Sequence, residues 1–287
     1  MKNILLQTTI EYTRDDWSIE RFSKLAEFLS NVRDNDGKTL FRITTRNRQN
    51  LSTGDDPTLS RLDESEFDQL WIFGVDTGSG LGTADCEAIS RFRDRGGAIL
   101  ASRDHQDLGI SLCTLGGIGE AHHFHSKNPE PDPARRAVDD TQTPSISWPN
   151  YHSGSNGDFQ HVETMQPLHP IMRNPANASG SIEFLPAHPH EGAVSVPAGE
   201  QHARVAAVGR SVITGNPFNL AVAFERNRRG PAVVDSSFHH FLDYNLDPRA
   251  GCPSFVTEPP GHGMLENPQA LADTMAYIEN IARWFAG

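Results

Sequence analysis

A short polar stretch, Ser102–Gln106, follows directly on an apolar run in the centre of the chain. The apolar run, Ala98–Ala101, comes after a pair of glycines and is typical of a buried strand. Leucines then recur at helical spacing up to a second glycine pair, which predicts a helix. A strand that turns sharply into a helix holds a polar side chain above the sheet edge, so we expect any chemistry to centre on this stretch. The residues expected to contact a ligand here are Arg103, Asp104 and His105.

Two other stretches have the same relation to a predicted strand. A glycine-rich loop that includes Gly78 and Gly80 follows the apolar run at residues 67–75, and His239 and His240 follow the run at residues 231–236. The carboxyl ends of parallel strands meet at one edge of the sheet, where ligands bind in open α/β folds. We therefore predict a cleft formed by all three stretches. The loop lacks the Lys-Ser/Thr pair of a P-loop, which argues against a phosphate cradle.

Histidines suggest a second chemistry. Nine of the 13 lie between residues 119 and 202. His123 and His125 would share one face of an extended segment, an arrangement seen in metal sites, and imidazoles with nearby carboxylates suit zinc, iron or manganese. We therefore predict a divalent metal with His123 and His125 as its first ligands, and polar packing is the alternative for both. Further candidate ligands are His105, His152, His161, His169, His188 and His190.

The order of the elements predicts an α/β fold. Short apolar runs alternate with amphipathic segments along residues 1–118, and regular patterns return from residue 203 to a terminal helix at residues 268–285. This alternation favours a flavodoxin-like, mostly parallel sheet flanked by helices, in a single domain spanning residues 1–287. Between residues 119 and 202 the sequence is rich in histidine and proline, and we expect an irregular insertion that covers the pocket.

Composition excludes several classes of function. The formal net charge is −12, which repels phosphate backbones, so we expect no nucleic acid partner. No apolar run approaches the roughly 20 residues of a membrane span, and polar residues interrupt the N-terminal run too early for a signal peptide. The three cysteines have no metal-type spacing. We expect a cytoplasmic protein that takes a small-molecule ligand, and homo-oligomerisation is left open.

The polar stretch resembles a known catalytic motif. Residues 102–109, read as SRDHQDLG, are similar to the G-x-C-x-G-H-Q-x-L-G elbow of class I glutamine amidotransferases. The resemblance places Ser102 at the nucleophile position and implies that the Gly78 and Gly80 loop is an oxyanion hole. The F-H-P-E pattern of that family falls on residues 238–241, which implies His239 or His240 as the base. The glutamate of that pattern is absent, so Asp243 is the nearest candidate acid and Asp235 the second.

The remaining sequence narrows this resemblance to the trehalose-utilisation, or ThuA-like, branch. The carrying segments are FDQLWIFGV, RGGAILASRD and the terminal NIARWFAG, and members of this branch usually lack the cysteine triad. Serine stands where the catalytic cysteine would be, so a glutaminase reaction is not expected. The resemblance implies a small, carbohydrate-related ligand and hydrolysis. A non-catalytic binding domain and a metal-assisted hydrolase using the insertion are the alternatives.

Overall fold

The protein is described by a computed structural model that covers residues 1–50, 52–133, 146 and 150–287. Part of the predicted insertion, residues 134–145 and 147–149, therefore lies outside the described residues. The strands, in chain order, are β1 (Lys2–Thr8), β2 (Phe41–Arg46), β3 (Gln69–Phe73), β4 (Ala98–Ser102), β5 (His122–His123), β6 (Asn150–Tyr151), β7 (Phe159–His161), β8 (Glu163–Thr164), β9 (Phe184–Pro186), β10 (Glu191–Val194), β11 (Ala203–Arg210), β12 (Pro217–Phe224) and β13 (Ala232–Asp235). The α-helices are α1 (Ser23–Asn31), α2 (Thr83–Asp94), α3 (Asp243–Leu246), α4 (Gly263–Glu266) and α5 (Pro268–Ala286).

Eight of these strands form the central sheet, in the order β2-β1-β3-β4-β13-β12-β11-β8. The first five are parallel to one another, and β12, β11 and β8 extend the sheet with antiparallel pairs. The last residues of the three central parallel strands are in register, because Ser102 pairs with both Phe73 and Asp235. Whatever follows β3, β4 and β13 therefore meets at one edge of the sheet.

Alternating side chains of the sheet divide the core into two layers. Ile4 and Leu6 of β1 pack in the layer that contains α1 and α5, whereas Leu5 packs in the layer that contains α2. This follows from the period of two along a strand, which sends successive side chains to opposite faces. Strand β3, with all five residues buried, needs apolar residues on both faces. The expected mostly parallel α/β sheet flanked by helices is confirmed.

The predicted terminal helix is confirmed as α5, and the residues at its N-terminus explain where it begins. Asn267 caps α5 by accepting hydrogen bonds from the N–H groups of Gln269 and Ala270, and Pro268 occupies the first helical position. None of the helices in the described part of the chain is long and apolar enough to cross a bilayer.

The prediction of a helix directly after β4 is wrong. Turns occupy the residues that follow β4, and only a short 3-10 helix forms, at Ile110–Thr114. Gly109 interrupts the helix because its φ is 77° and its backbone lies against Gly74 at the end of β3, where a side chain would clash. The leucine spacing reflects burial of Leu112 and Leu115 under α2 rather than an α-helix.

The described part of the insertion has short strands rather than purely irregular structure. Strand β10 pairs with β5 and β6, and β7 pairs with β9. Strand β8 joins the edge of the central sheet. These strands are two to four residues long, too short for their periodicity to be visible in the sequence.

Candidate functional site

A cavity of about 420 Å³ lies at the carboxyl ends of the central parallel strands. Four histidines line it, and we call it the histidine cavity: His105 follows β4, His239 follows β13, and His188 and His190 come from the insertion just before β10. Its other lining residues that matter below are Trp17, Thr77, Asp104, Asn156, Phe255 and Glu258. The predicted meeting of the segments after β3, β4 and β13 is therefore present in the structure.

Asp104 is the centre of the histidine group. Its carboxylate is 2% exposed and lies 3.4 Å from Nδ1 of His188 and 3.6 Å from Nε2 of His239. Nε2 of His105 is 3.7 Å away. The rings of His188 and His239 stack on each other with centroids 3.6 Å apart. The predicted ligand contacts Asp104 and His105 thus both face the cavity.

A buried amide fixes the orientation of His239. The side-chain NH₂ of Asn245 donates to Oδ1 of Asn156 and to the carbonyl of Ala187, which leaves its Oδ1 as an acceptor 2.7 Å from Nδ1 of His239. The hydrogen-bond network therefore assigns the proton to Nδ1 of His239. Its Nε2 carries a lone pair and points toward Asp104.

Burial and charge set the protonation of this group in opposite directions. Burial lowers the pKa of His105 to about 4 and the pKa of His188 well below its usual value. For Asp104, burial opposes ionisation, but the surrounding imidazoles of His188, His105 and His239 outweigh it and hold the pKa of the carboxyl well below its ordinary range. The cavity floor is thus a buried carboxylate among histidines.

Arg103 does not contact a ligand. Its side chain is fully buried, and its guanidinium donates to the backbone carbonyls of Asp104, Gln106 and His123. It also lies over the ring of Phe124, 4.2 Å from the centroid. Arg103 therefore ties the loop after β4 to the insertion, which corrects its predicted role as a ligand contact.

Ser102 is not placed as a nucleophile. It is the last residue of β4, it is fully buried, and its hydroxyl donates to Oδ1 of Asp235 at 3.3 Å. Among the described residues its hydroxyl pairs with Asp235 and not with His239, and Ser102 does not line the histidine cavity. The strand continues through Ser102 because Asp235 and Phe73 pair with it on both sides, which leaves no strained elbow at this residue. Asp104, two residues later, takes the position at the cavity.

His240 also belongs to the core rather than to the cavity. Its Nδ1 lies 2.8 Å from Oδ1 of Asp235, and its Nε2 lies 3.5 Å from Oε2 of Glu191. Burial opposes the charged form, but the two carboxylates outweigh it and raise the pKa of His240 to about 10. His240 is therefore a buried cation held between two acids, and it cannot act as a base at pH 7.

Asp243 has a structural role instead of completing a triad. Its carboxylate accepts hydrogen bonds from the N–H and hydroxyl of Ser23 and from the N–H of Lys24, at the start of α1. A carboxylate at this end of a helix satisfies free N–H groups and complements the helix dipole. The residue that orients His239 is Asn245, six residues later in the chain, which the sequence did not single out.

The glycine loop is not arranged as an oxyanion hole. The N–H of Gly78 donates to Oδ2 of Asp76 within the loop, and a side chain at Gly80 would collide with the same carboxylate. These glycines allow the loop to close around Asp76, which also accepts from the hydroxyl of Ser111 at 2.7 Å. Neither Gly78 nor Gly80 lines the histidine cavity; Thr77 does.

The two histidines predicted as first metal ligands lie elsewhere. His123, on β5, has Nδ1 3.0 Å from the carbonyl of Asn128 and Nε2 2.6 Å from the hydroxyl of Ser195. His125 is exposed. Neither of them lines the histidine cavity. The histidines of the insertion that do line it are His188 and His190.

A larger cavity, of about 690 Å³, lies beyond the end of β2 and has a different character. Two of its lining residues are arginines that are already paired: Arg46 with Asp56 at 3.1 Å and Arg48 with Asp85 at 2.9 Å. Buried ion pairs of this kind hold loops together, and they leave no group there comparable to Asp104.

Comparisons with solved structures show what this fold is similar to. The structure of a putative ThuA-like protein from Parabacteroides merdae matches with a TM-score of 0.50 and 13% identity, covering 99% of this chain and 90% of that chain. The fold is ThuA-like. The mmIFT52 N-terminal domain matches with a TM-score of 0.51 and 14% identity, covering 85% and 90% of the two chains. The glutaminase domain of Trypanosoma brucei CTPS, with bound acivicin, matches with a TM-score of 0.45 and 12% identity, covering 97% and 94%.

At these identities the likeness concerns the fold alone. No protein-family model matches the sequence, and no curated protein matches it. The function of this chain must therefore be argued from the histidine cavity itself.

Proposed function

We propose that this protein binds a small, uncharged, hydroxyl-rich molecule of the carbohydrate class in the histidine cavity and exchanges protons with it through Asp104 and His239. The observation that carries the proposal is the composition of the cavity wall. Trp17 and Phe255 supply aromatic surface, and Asp104, Asn156 and His239 supply hydrogen-bonding groups. Its volume of about 420 Å³ suits a molecule of one or two sugar rings.

The charge of the wall argues for an uncharged ligand. Acidic side chains line the cavity, at Asp16, Asp104 and Glu258, whereas no lysine or arginine does so within the described residues. Phosphates and carboxylates are bound in proteins mainly by arginine, lysine and helix N-termini. Sugar hydroxyls, by contrast, donate well to carboxylates and imidazoles.

Proton transfer follows from the state of His239. Its Nδ1–H is held by Asn245, so Nε2 is free to accept a proton from a hydroxyl group or a water molecule. This is the role of a general base in hydrolysis, and it needs no serine nucleophile. The resemblance to amidotransferases does not support a glutaminase reaction, because the residues at the end of β4 and directly after it include no cysteine.

The proposal is tested by calorimetric titration with neutral mono- and disaccharides and with their phosphorylated counterparts. We expect a neutral sugar to bind and its phosphate ester to bind much more weakly. Phe255→Ser removes an aromatic side chain that is 56% exposed, so it should weaken binding about fivefold without loss of fold.

The matched control is Val212→Ser, which removes a comparably exposed apolar side chain away from the cavity. It should leave the affinity unchanged. Absence of binding by every neutral sugar, or tighter binding of the phosphate esters, would overturn the proposal. Turnover of a bound sugar that is lost in His239→Gln would identify a hydrolase; binding without turnover would identify a binding domain.

A further inference from the structure

We propose that Asp104, His188 and His239 together bind one divalent transition-metal ion at the floor of the histidine cavity. This inference does not rest on the proposed function, because metal content is measured without a sugar; while the ion is bound, Nε2 of His239 is a ligand and not a base. It differs from the metal site predicted from the sequence, which used His123 and His125.

The geometry of the three side chains fits a single ion. One ligand atom from each of the three lies within 4.8 Å of the others. Asp104 lies 3.4 Å from His188 and 3.6 Å from His239. Ligand atoms at about 2.1 Å from a shared ion are roughly 3.0–3.5 Å apart in tetrahedral or octahedral geometry. Only small side-chain movements are therefore needed to close the site.

The hydrogen-bond network leaves acceptors facing one another. Nε2 of His239 carries a lone pair, because Asn245 holds the proton of the ring on Nδ1. Nδ1 of His188 also acts as an acceptor, for the N–H of His190 at 3.1 Å. Both nitrogens face the carboxylate oxygens of Asp104, which accept as well. The lone pair of His239 Nε2 and the carboxylate of Asp104 repel each other unless a cation lies between them, and an ion that also bound Nδ1 of His188 would replace its hydrogen bond from His190.

Charge balance gives an independent reason. Asp104 is buried, and within the described part of the chain no lysine or arginine forms an ion pair with it. Arg103 is adjacent in sequence, but its guanidinium donates to three backbone carbonyls instead. The hydroxyl of Ser237 donates to the carboxylate at 3.4 Å, and no other hydroxyl of the described residues does so. The buried carboxylate is therefore surrounded by imidazoles and one hydroxyl rather than by a permanent cation, and an ion bound among them would supply that positive charge.

The donor set selects the kind of metal. Two imidazole nitrogens and one carboxylate suit Zn²⁺, Fe²⁺, Mn²⁺ or Co²⁺, and no thiolate is present to favour copper(I). Three protein ligands on a cavity wall leave coordination positions for water or a ligand, as in catalytic rather than structural sites. Asn245 supplies the outer hydrogen bond that commonly orients a metal-binding histidine.

The experiment uses the full-length, tag-free chain, stripped with chelator and then exposed separately to Zn²⁺, Mn²⁺, Co²⁺ and, without oxygen, Fe²⁺. Metal content is measured by mass spectrometry after gel filtration, and Co²⁺ binding is followed by its visible absorption. We expect one ion per chain for at least one metal. His188→Ala and His239→Gln should each lower the affinity by at least tenfold, and Asn245→Ala by about 10–100-fold.

The matched controls are His125→Ala and His202→Ala, which remove exposed histidines outside the cavity. Both should retain one ion per chain. Loss of the ion in His125→Ala with retention in His188→Ala would place the metal at His125, outside the histidine cavity, and overturn the proposal. So would a wild-type chain that binds none of the four metals.

Asp104→Asn separates a metal ligand from a residue that only supports the fold. The change removes the buried charge at nearly constant shape, so the metal-free variant should unfold at the same or a higher temperature than the metal-free wild type. Added metal should raise the unfolding temperature of the wild type and not that of the variant. A lower unfolding temperature of the metal-free variant, with metal binding intact, would show that Asp104 acts in folding alone.

Discussion

At the scale of single residues, position after a strand was a better guide than chemical type. Asp104, His105 and His239 could be predicted as site residues because they follow β4 and β13, whose apolar runs are visible in the sequence. Ser102 and His240 come one or two residues too early or too late and are buried instead. Ser102 is still inside the paired strand whereas Asp104 lies beyond its end, and His239 and His240 leave the short 3-10 helix in different directions; sequence patterns do not resolve shifts of this size.

His188 could not be distinguished from the other histidines of the insertion. Two nearby ring contacts place it in the cavity, with His239 at 3.6 Å and with His190 at 5.5 Å between centroids. Those contacts depend on the course of the chain from β9 to β10, where no periodic pattern marks which residues face inward. Asn245 escaped prediction for the same reason, because its role exists only once Asn156 and Ala187 are beside it.

The burial of Ser102 gives a test at this scale. Ser102→Ala removes one buried hydrogen bond to Asp235, so the free energy of unfolding should fall by about 1 kcal/mol. Sugar binding and metal content should not change. Urea unfolding measures the first quantity, and a serine-reactive fluorophosphonate should label neither protein. Labelling of the wild type that disappears in the variant would restore Ser102 as a nucleophile.

At the scale of elements, predictions succeeded where one periodicity ran undisturbed. Helix α5 has a long apolar pattern, and it starts at residue 268 as predicted. The segment after β4 failed because a tertiary contact decided its conformation. Gly109 must approach Gly74 closely, and its positive φ ends any helix that the leucines would favour.

The contact between β10 and the loop after β4 is an element-scale feature that can be tested. A side chain at Gly192 would overlap the guanidinium of Arg103 and the carbonyl of Asp104. Gly192→Ala should therefore lower the free energy of unfolding by about 1–3 kcal/mol and displace Asp104, which should also weaken binding in the cavity. Both effects are measurable by urea unfolding and by calorimetric titration.

Gly116→Ala is the control for this change. A side chain at Gly116 meets only the hydroxyl of Ser90, at 2.9 Å, which can rotate away. Its effect on unfolding should be well below that of Gly192→Ala, with binding unaffected. Equal effects of the two substitutions would mean that the insertion does not depend on this close approach.

At the scale of the whole molecule, one buried network links the sheet, the insertion and the last helix. Asp235 at the end of β13 accepts from Tyr277 of α5 at 2.8 Å and from Ser102 of β4, and it contacts His240. On the other side of His240, Glu191 begins β10. The sequence predicted the sheet and α5 separately, but not that a charged histidine joins them to the insertion. That connection depends on which distant residues the folded chain brings together.

This network makes global stability depend on pH in a defined direction. The pKa of His240 is about 10 in the folded protein and about 6.5 in the unfolded chain, so folding is favoured by the bound proton. The contribution of this proton to the free energy of unfolding is complete below pH 6.5 and is lost as pH rises toward 10. We expect the free energy of unfolding to fall across this range, by at most about 1.4 kcal/mol per pH unit from this group.

Glu191→Gln isolates the effect because it removes one of the two acids that hold the proton on His240. The folded pKa of His240 should fall, so the loss of stability should begin at a lower pH than in the wild type. Urea unfolding at several pH values measures the curve, and the imidazole resonances in NMR report the titration directly. Glu163→Gln is the control, since that carboxylate pairs with Arg210 at the surface, where both side chains are 54% exposed and solvent screens the pair. If both variants kept the wild-type curve, His240 would not be the group that couples pH to folding.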